Sequence, residues 1–275
     1  MKTRLENGPM QLPKSVRNIL ALAQIRVRLL LRQKLGWMTL LVGVGLVFIS
    51  LIVSNVSFVN PLKIFWDFAL GAAFVLQVAL AVYFGSQLFH EERGRRTLHL
   101  ILSAGVSRLE WLCGNIFGTW LSLSLMNVVW FVLTFLCSRA MFSGSLGLMA
   151  AQSSFMLSIE VLVILALSSF FALFLRQMLS LIFSVLVVVL LHSVGSIQRI
   201  FTDPQVGRFV ENNGASFVLW VARFLPPLEW FDLKIFVGYQ DSVSSALMVE
   251  LTVVGLLWAV FLMGVSWLRF EKMDL

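Results

Sequence analysis

A helical membrane bundle is the fold class this sequence predicts, and three observations carry that expectation. Hydrophobic residues make up 59% of the 275 and charged residues only 13%, whereas a soluble domain is nearer about half apolar and a quarter charged. Six apolar stretches, at about 37–59, 65–89, 111–136, 151–175, 178–197 and 246–268, are each long enough to cross roughly 30 Å of hydrocarbon as a helix. Strand-type alternation at about ten-residue spacing, which would mark a membrane barrel, is absent. The expected fold is all-α and polytopic, one domain over residues 1–275. It has six transmembrane helices, an N-terminal amphipathic interfacial helix, a cytoplasmic amphipathic element between spans two and three, and short extracytoplasmic helices between spans five and six.

Residues 1–14 hold Gly8, Pro9 and Pro13 and read as a loose tail. The run over 15–35 is different. Arg17, Gln24, Arg28 and Arg32 recur on one helical face, with Ile19, Leu22, Ala23, Leu29 and Leu30 on the other. Arg26 interrupts the apolar side, and its stem is long enough to snorkel to lipid headgroups. A basic amphipathic helix lying in the membrane interface fits this pattern; a longer first span projecting into the cytoplasm is the alternative. The first apolar run is too long for a signal-peptide core and reads as a retained span.

Between spans two and three lies HEERGRRTLHLILSAGVSRLEW, residues 90–111, the densest charge cluster of the chain. Leu98, Ile101, Leu102, Gly105 and Leu109 repeat at spacings of three and four, opposite Arg96, His99, Ser103, Ser107 and Glu110. An amphipathic helix is expected here, stopped by Gly105 in a left-handed conformation. Ser107 and Glu110 then form an S-x-x-E capping box that starts span three. Arginines beside two glutamates suit a protein partner as well as lipid.

About 48 residues separate spans five and six. Asp203-Pro204, Asn212-Asn213-Gly214 and Pro226-Pro227 mark turns there. SFVLWVARFL and EWFDLKIFVGY are too apolar for a solvated loop and too short to span, so short helices covering the bundle are expected within 199–245. No internal repeat is visible, which weighs against an inverted-repeat transporter.

Orientation follows from the basic residues. With both termini inside, cytoplasmic segments hold 15 of the 21 Lys and Arg residues; Lys63, Arg139, Arg199, Arg208, Arg223 and Lys234 fall outside. The net charge of +7 then reflects a cytoplasmic face beside anionic lipid and needs no nucleic acid. Cys113 and Cys137 lie at opposite ends of one predicted helix, about 36 Å apart at 1.5 Å per residue, so they cannot pair within the chain. With no His/Cys cluster, no metal site is expected.

Chemistry-bearing motifs are missing. G-x-x-x-x-G-K-[ST], G-x-S-x-G, H-E-x-x-H and C-x-x-C do not occur, so neither nucleotide binding by a P-loop nor an enzyme activity has anything to rest on. Glu160 falls near the middle of span four, where a lipid-exposed carboxylate costs at least about 2.5 kcal/mol. It either faces the interior and meets a transported substrate or hydrogen-bonds a neighbouring helix while protonated. His192 and Glu250 read as interfacial. Trp37, Trp66, Trp111 and Trp267, near span ends, read as membrane-belt anchors.

Taken in order, a basic amphipathic leading helix, six spans, an E-x-x-G-x-x-T-L…L-S-x-x-V-S-R segment after span two and a long outer loop before span six resemble ABC-2 type permeases. The matching residues are Glu91, Gly94, Thr97, Leu98, Leu102, Ser103, Val106, Ser107 and Arg108. FLPPLEWFDL, residues 224–233, is similar to the proline-aromatic segment of the multi-copper-enzyme-maturation permease subgroup. Gly105 and Gly114-Asn115 depart from it, standing where many members have proline and Gly-Lys.

The resemblance implies the transmembrane subunit of an exporter in a bacterial cytoplasmic membrane, with both termini cytoplasmic. Two such chains, as a homodimer or related heterodimer, would pair within membrane lipid. A cytoplasmic ATPase dimer would bind and hydrolyse ATP, leaving this chain without a cofactor, and an extracytoplasmic accessory protein could join from outside. Residues 91–108 would be the coupling helix, bringing Glu91, Glu92, Arg93, Gly94, Arg95, Arg96, Thr97, Leu98, Ile101, Leu102, Gly105, Ser107 and Arg108 to the ATPase. Glu160, from its depth in span four and not from the resemblance, is the candidate for the substrate pathway. A stand-alone secondary transporter using Glu160, or a membrane scaffold for a peripheral complex, are the rival readings. The cargo is not legible: walls of Leu, Phe and Val occur in every helical bundle, and fold does not name function.

Overall fold

The computed structural model describes residues 13–56, 60–94, 103, 105–142, 146–202, 228–234, 237 and 243–272. Within them the chain is helical, with no strand. The helices are α1 (Lys14–Arg32), α2 (Lys34–Asn55), α3 (Pro61–Gly94), α4 (Arg108–Met141), α5 (Gly147–Phe174), α6 (Gln177–Thr202) and α7 (Ser245–Glu271), with a 3-10 turn at Leu228–Phe231. The last six each contain a stretch long and apolar enough to cross a membrane. The chain is an integral membrane protein of the expected all-α class.

One helix sits at the centre. In its most apolar stretch α5 is 78% buried, against 17–44% for the other five. It packs on α3, α4, α6 and α7, while α2 leans on α3 and α4. Lipid is as apolar as leucine, so hydrophobicity alone does not hold such helices together; close packing and interhelical hydrogen bonds do. The side chains of Gln77 and Asn127 donate to the main-chain oxygens of Leu123 (3.1 Å) and Ser154 (2.8 Å), and the Trp120 indole N–H donates to that of Ser158 (2.7 Å). These bonds tie α3, α4 and α5 into one unit.

The buried stripe of α1 is Ala23, Arg26 and Leu30, with Ile19 and Leu22 half-buried beside it, and Arg17, Gln24, Arg28 and Arg32 are exposed, as the periodicity requires. The partner of that stripe is α4. Glycines make the approach possible: a Cβ at Gly118 would stand 2.8 Å from the main-chain oxygen of Ala23, and one at Gly114 2.7 Å from the Leu22 Cβ. Arg26 therefore does not snorkel outward. It is only 5% exposed, and its Nε lies 3.4 Å from the Thr119 hydroxyl, because the missing side chain at Gly118 opens room for its stem.

The aromatic belt needs a similar correction. Trp37 is exposed, but Trp66 and Trp111 are fully buried. Trp66 packs with Phe65 and Phe131, and Trp111 sits between Phe89 and Phe270. Nearness to a helix end along the chain does not say which way a side chain faces; here both indoles turn inward to fill space between helices.

Candidate functional site: a buried carboxylate–imidazole pair

The short connection at Leu175–Arg176 joins α5 and α6 as an antiparallel hairpin. Residues equally distant from such a turn come to equal depth. Glu160 lies sixteen residues before Arg176 and His192 sixteen after it, and their side chains meet: His192 Nε2 is 2.7 Å from Glu160 Oε1. Glu160 is 1% exposed. The contact is close but falls short of hydrogen-bond geometry, and among the described residues neither carboxylate oxygen has an aligned donor. The other ring nitrogen, Nδ1, lies 3.0 Å from the main-chain oxygen of Val188. The expectation of an interfacial His192 is thereby corrected, because the hairpin turns it onto Glu160. Glu250, near the start of α7, is exposed as expected.

A second charged pair approaches from the chain between α6 and α7. The 3-10 turn buries Leu228 and Phe231, and Leu233 follows them inward. This apolar anchoring seats Asp232 and Lys234 against the bundle, with Lys234 Nζ 3.0 Å from Asp232 Oδ2. The same ammonium stands 3.8 Å over the ring of Phe74 on α3, a cation–π contact, and Phe74 meets His192 edge-on at 5.2 Å. One aromatic ring thus separates two oppositely composed pairs. Glu160, Asp232, Lys234 and Ser153 line a cavity of about 10 Å³, room for about one water. Glu229 of the same turn packs against Gly195 of α6, where a Cβ would collide with its carboxylate.

The other end of the bundle holds what is described of the 91–108 segment. Glu91, Glu92, Arg93 and Gly94 form the last turn of α3. Arg95, Arg96, Thr97, Leu98, Ile101 and Leu102 lie outside the described residues. Gly105 has φ +84°, the left-handed backbone expected of it. Ser107 caps α4: its hydroxyl accepts from the Glu110 N–H, and the Glu110 carboxylate accepts from the Ser107 N–H at 3.1 Å. Glu110 also accepts from the Asn18 amide of α1, at 3.1 Å. Arg108 points elsewhere, with Nη1 donating to the main-chain oxygens of Phe270 (2.6 Å) and Glu271 (2.8 Å).

Sequence reasoning singled out Glu160 but missed its companions. His192 was findable from the symmetry about Arg176. Asp232 and Lys234 were not, since nothing local shows that an apolar stretch of a long connection folds back into the bundle. Neither a family model nor a curated protein matches the chain.

Proposed function

We propose that this chain is the membrane subunit of an ATP-driven exporter of the ABC-2 permease type. It would work as one of two paired permease chains, with ATP bound and hydrolysed by separate cytoplasmic subunits. One observation carries the reading. The start of α4, where residues 91–108 enter the bundle, is bonded to two other helices at once: Arg108 holds the C-terminus of α7, and Glu110 holds Asn18 of α1. A push on the preceding segment by a docked ATPase would reach α1, α4 and α7 together, which is what a coupling element requires.

The interior supports pairing. Among the described residues, two cavities between helices measure about 20 Å³ and 10 Å³, each too small for any cargo. Larger hollows lie on the outside, such as the 430 Å³ groove lined by Leu76, Leu80, Tyr83 and Leu181 between α3 and α6. A cargo path in this reading needs a second chain or an opened bundle.

The deciding experiment is to look for a Walker-motif ATPase in the adjacent reading frames, co-purify it with this chain, and measure ATP hydrolysis in reconstituted membranes. Leu98→Asp, on the apolar stripe of the coupling segment, is expected to release the ATPase or abolish cargo-stimulated hydrolysis while the chain still inserts. Retention of the partner with full stimulation would overturn the assignment. In the same reading residue 95 is cytoplasmic, so labelling of Arg95→Cys by an impermeant thiol reagent in intact cells would reverse the orientation.

A further inference from the structure

We propose that Glu160 and His192 form a proton-binding site inside the bundle, and that its occupancy sets whether residues 228–234 stay seated. This goes beyond the exporter reading and needs neither ATPase nor cargo.

Geometry counts the protons. A carbonyl oxygen only accepts, so the 3.0 Å approach of His192 Nδ1 to the Val188 oxygen places a hydrogen on Nδ1. Nε2 and Glu160 Oε1 then face each other at 2.7 Å. Two bare lone pairs at that distance repel, and two protons in the gap cannot fit. The gap holds one proton, on the carboxyl or on the imidazole, and with Oε2 bare the pair is neutral overall.

The surroundings give that number its consequence. The groups facing the pair are Asp232 and Lys234, across Phe74 and the shared cavity, with Glu229 beside Gly195 of α6. Among the described residues of α3, α5 and α7, no other titratable side chain lines that cavity. Glu229 does not line that cavity, and Asp232 and Lys234 neutralise each other, so Glu160, His192, Asp232 and Lys234 sum to zero with one proton on the pair. If water donates a second proton, the carboxyl is neutral, the imidazole is cationic, and a net positive charge faces Lys234. If base removes the first, two carboxylates face one ammonium. Either state leaves an uncompensated charge in a nearly dry site, which is strongly unfavourable unless water enters. Water enters most readily where the one-water cavity meets the inserted segment, because Asp232 and Lys234 are already polar. Unseating of 228–234 is then the response to gain or loss of the proton.

The test uses the purified full chain in lipid nanodiscs, with Cys113→Ala and Cys137→Ala removing both native thiols. Leu233→Cys and, separately, Val237→Cys, 3% and 1% exposed in the native chain, report seating through their rate of reaction with a polar maleimide. Each rate is divided by that of Trp230→Cys, 58% exposed in the native chain, at the same pH, so that thiol ionisation cancels. The expected ratio is lowest at intermediate pH and rises several-fold toward both acid and alkali. Glu160→Gln, which leaves only the imidazole to gain a proton, should lose the alkaline rise. His192→Gln, which leaves only the carboxyl to lose one, should lose the acid rise. The double variant, with an amide at both positions, should give a low, flat ratio. Asp232→Asn leaves Lys234 uncompensated while the pair holds its proton and balanced once the proton is lost, so its lowest ratio should move to alkaline pH. As a check on wild type alone, a protonated-carboxyl infrared band should change with pH and be missing in Glu160→Gln. A flat wild-type ratio, an alkaline rise surviving Glu160→Gln, or an acid rise surviving His192→Gln would overturn the proposal.

Discussion

Arg108 opens α4 and closes α7: its Nη1 donates to the last main-chain oxygens of that helix, Phe270 at 2.6 Å and Glu271 at 2.8 Å, while its guanidinium lies 5.5 Å from the Phe270 ring. The C-terminal carbonyls of a helix lack partners within it, and a cation there satisfies them and the helix dipole together. Phe270 is fully buried against Trp111 and Phe89, so the contact couples a polar cap to a packed aromatic cluster.

Removing the guanidinium leaves those carbonyls to water and loosens the C-terminal turn of α7. Arg108→Ala is expected to lower stability by about 1–2 kcal/mol, with Arg108→Lys intermediate, since an ammonium keeps the charge without the planar fork. Thermal unfolding in detergent, followed by tryptophan fluorescence, measures both.

Glu110 serves two helices, which separates its roles by a double-mutant cycle. Ser107→Ala should cost about 1 kcal/mol through the lost cap alone. Asn18→Ala and Glu110→Ala should be non-additive by about 0.5 kcal/mol or more, since the two side chains bond directly. Additivity in chemical unfolding would show that the Asn18 bond contributes nothing to holding α1.

Gly118 permits the approach of α1, and any larger side chain must push the helix away. Gly118→Val is expected to destabilise by about 1–3 kcal/mol and to expose α1. Proteolysis after Arg17, Arg28 or Arg32 in the folded protein reads the second effect directly. Gly45→Val, where a Cβ would meet nothing within 4 Å, is the control and should leave proteolysis unchanged.

The Glu160–His192 pair should behave as a unit. Removing one partner strands the other in the interior, and Glu160→Leu or His192→Leu is expected to cost about 3–5 kcal/mol. The double replacement should restore much of that loss, because two apolar side chains can pack where two polar ones met. A double variant as unstable as the sum of the singles would mean that the pair is not coupled.

What the sequence by itself determined is what depends on neighbours a few residues away. Six apolar runs predict six spans because hydropathy is a property of each run. The amphipathic stripe of α1, the left-handed Gly105 and the Ser107–Glu110 capping box are legible for the same reason, each being closed within a few turns of chain. The tertiary structure decided the azimuth of each helix, which no local pattern carries once both faces are apolar. Trp66 and Trp111 turn inward, Arg26 points at Thr119, and Arg108 bonds a helix end more than 160 residues away. Glu160 was visible as an oddity in an apolar run, and its depth relative to His192 follows from the hairpin. That the two side chains face each other, with Lys234 delivered to Phe74 from a distant segment, required the packing of α3, α5 and α6 around them.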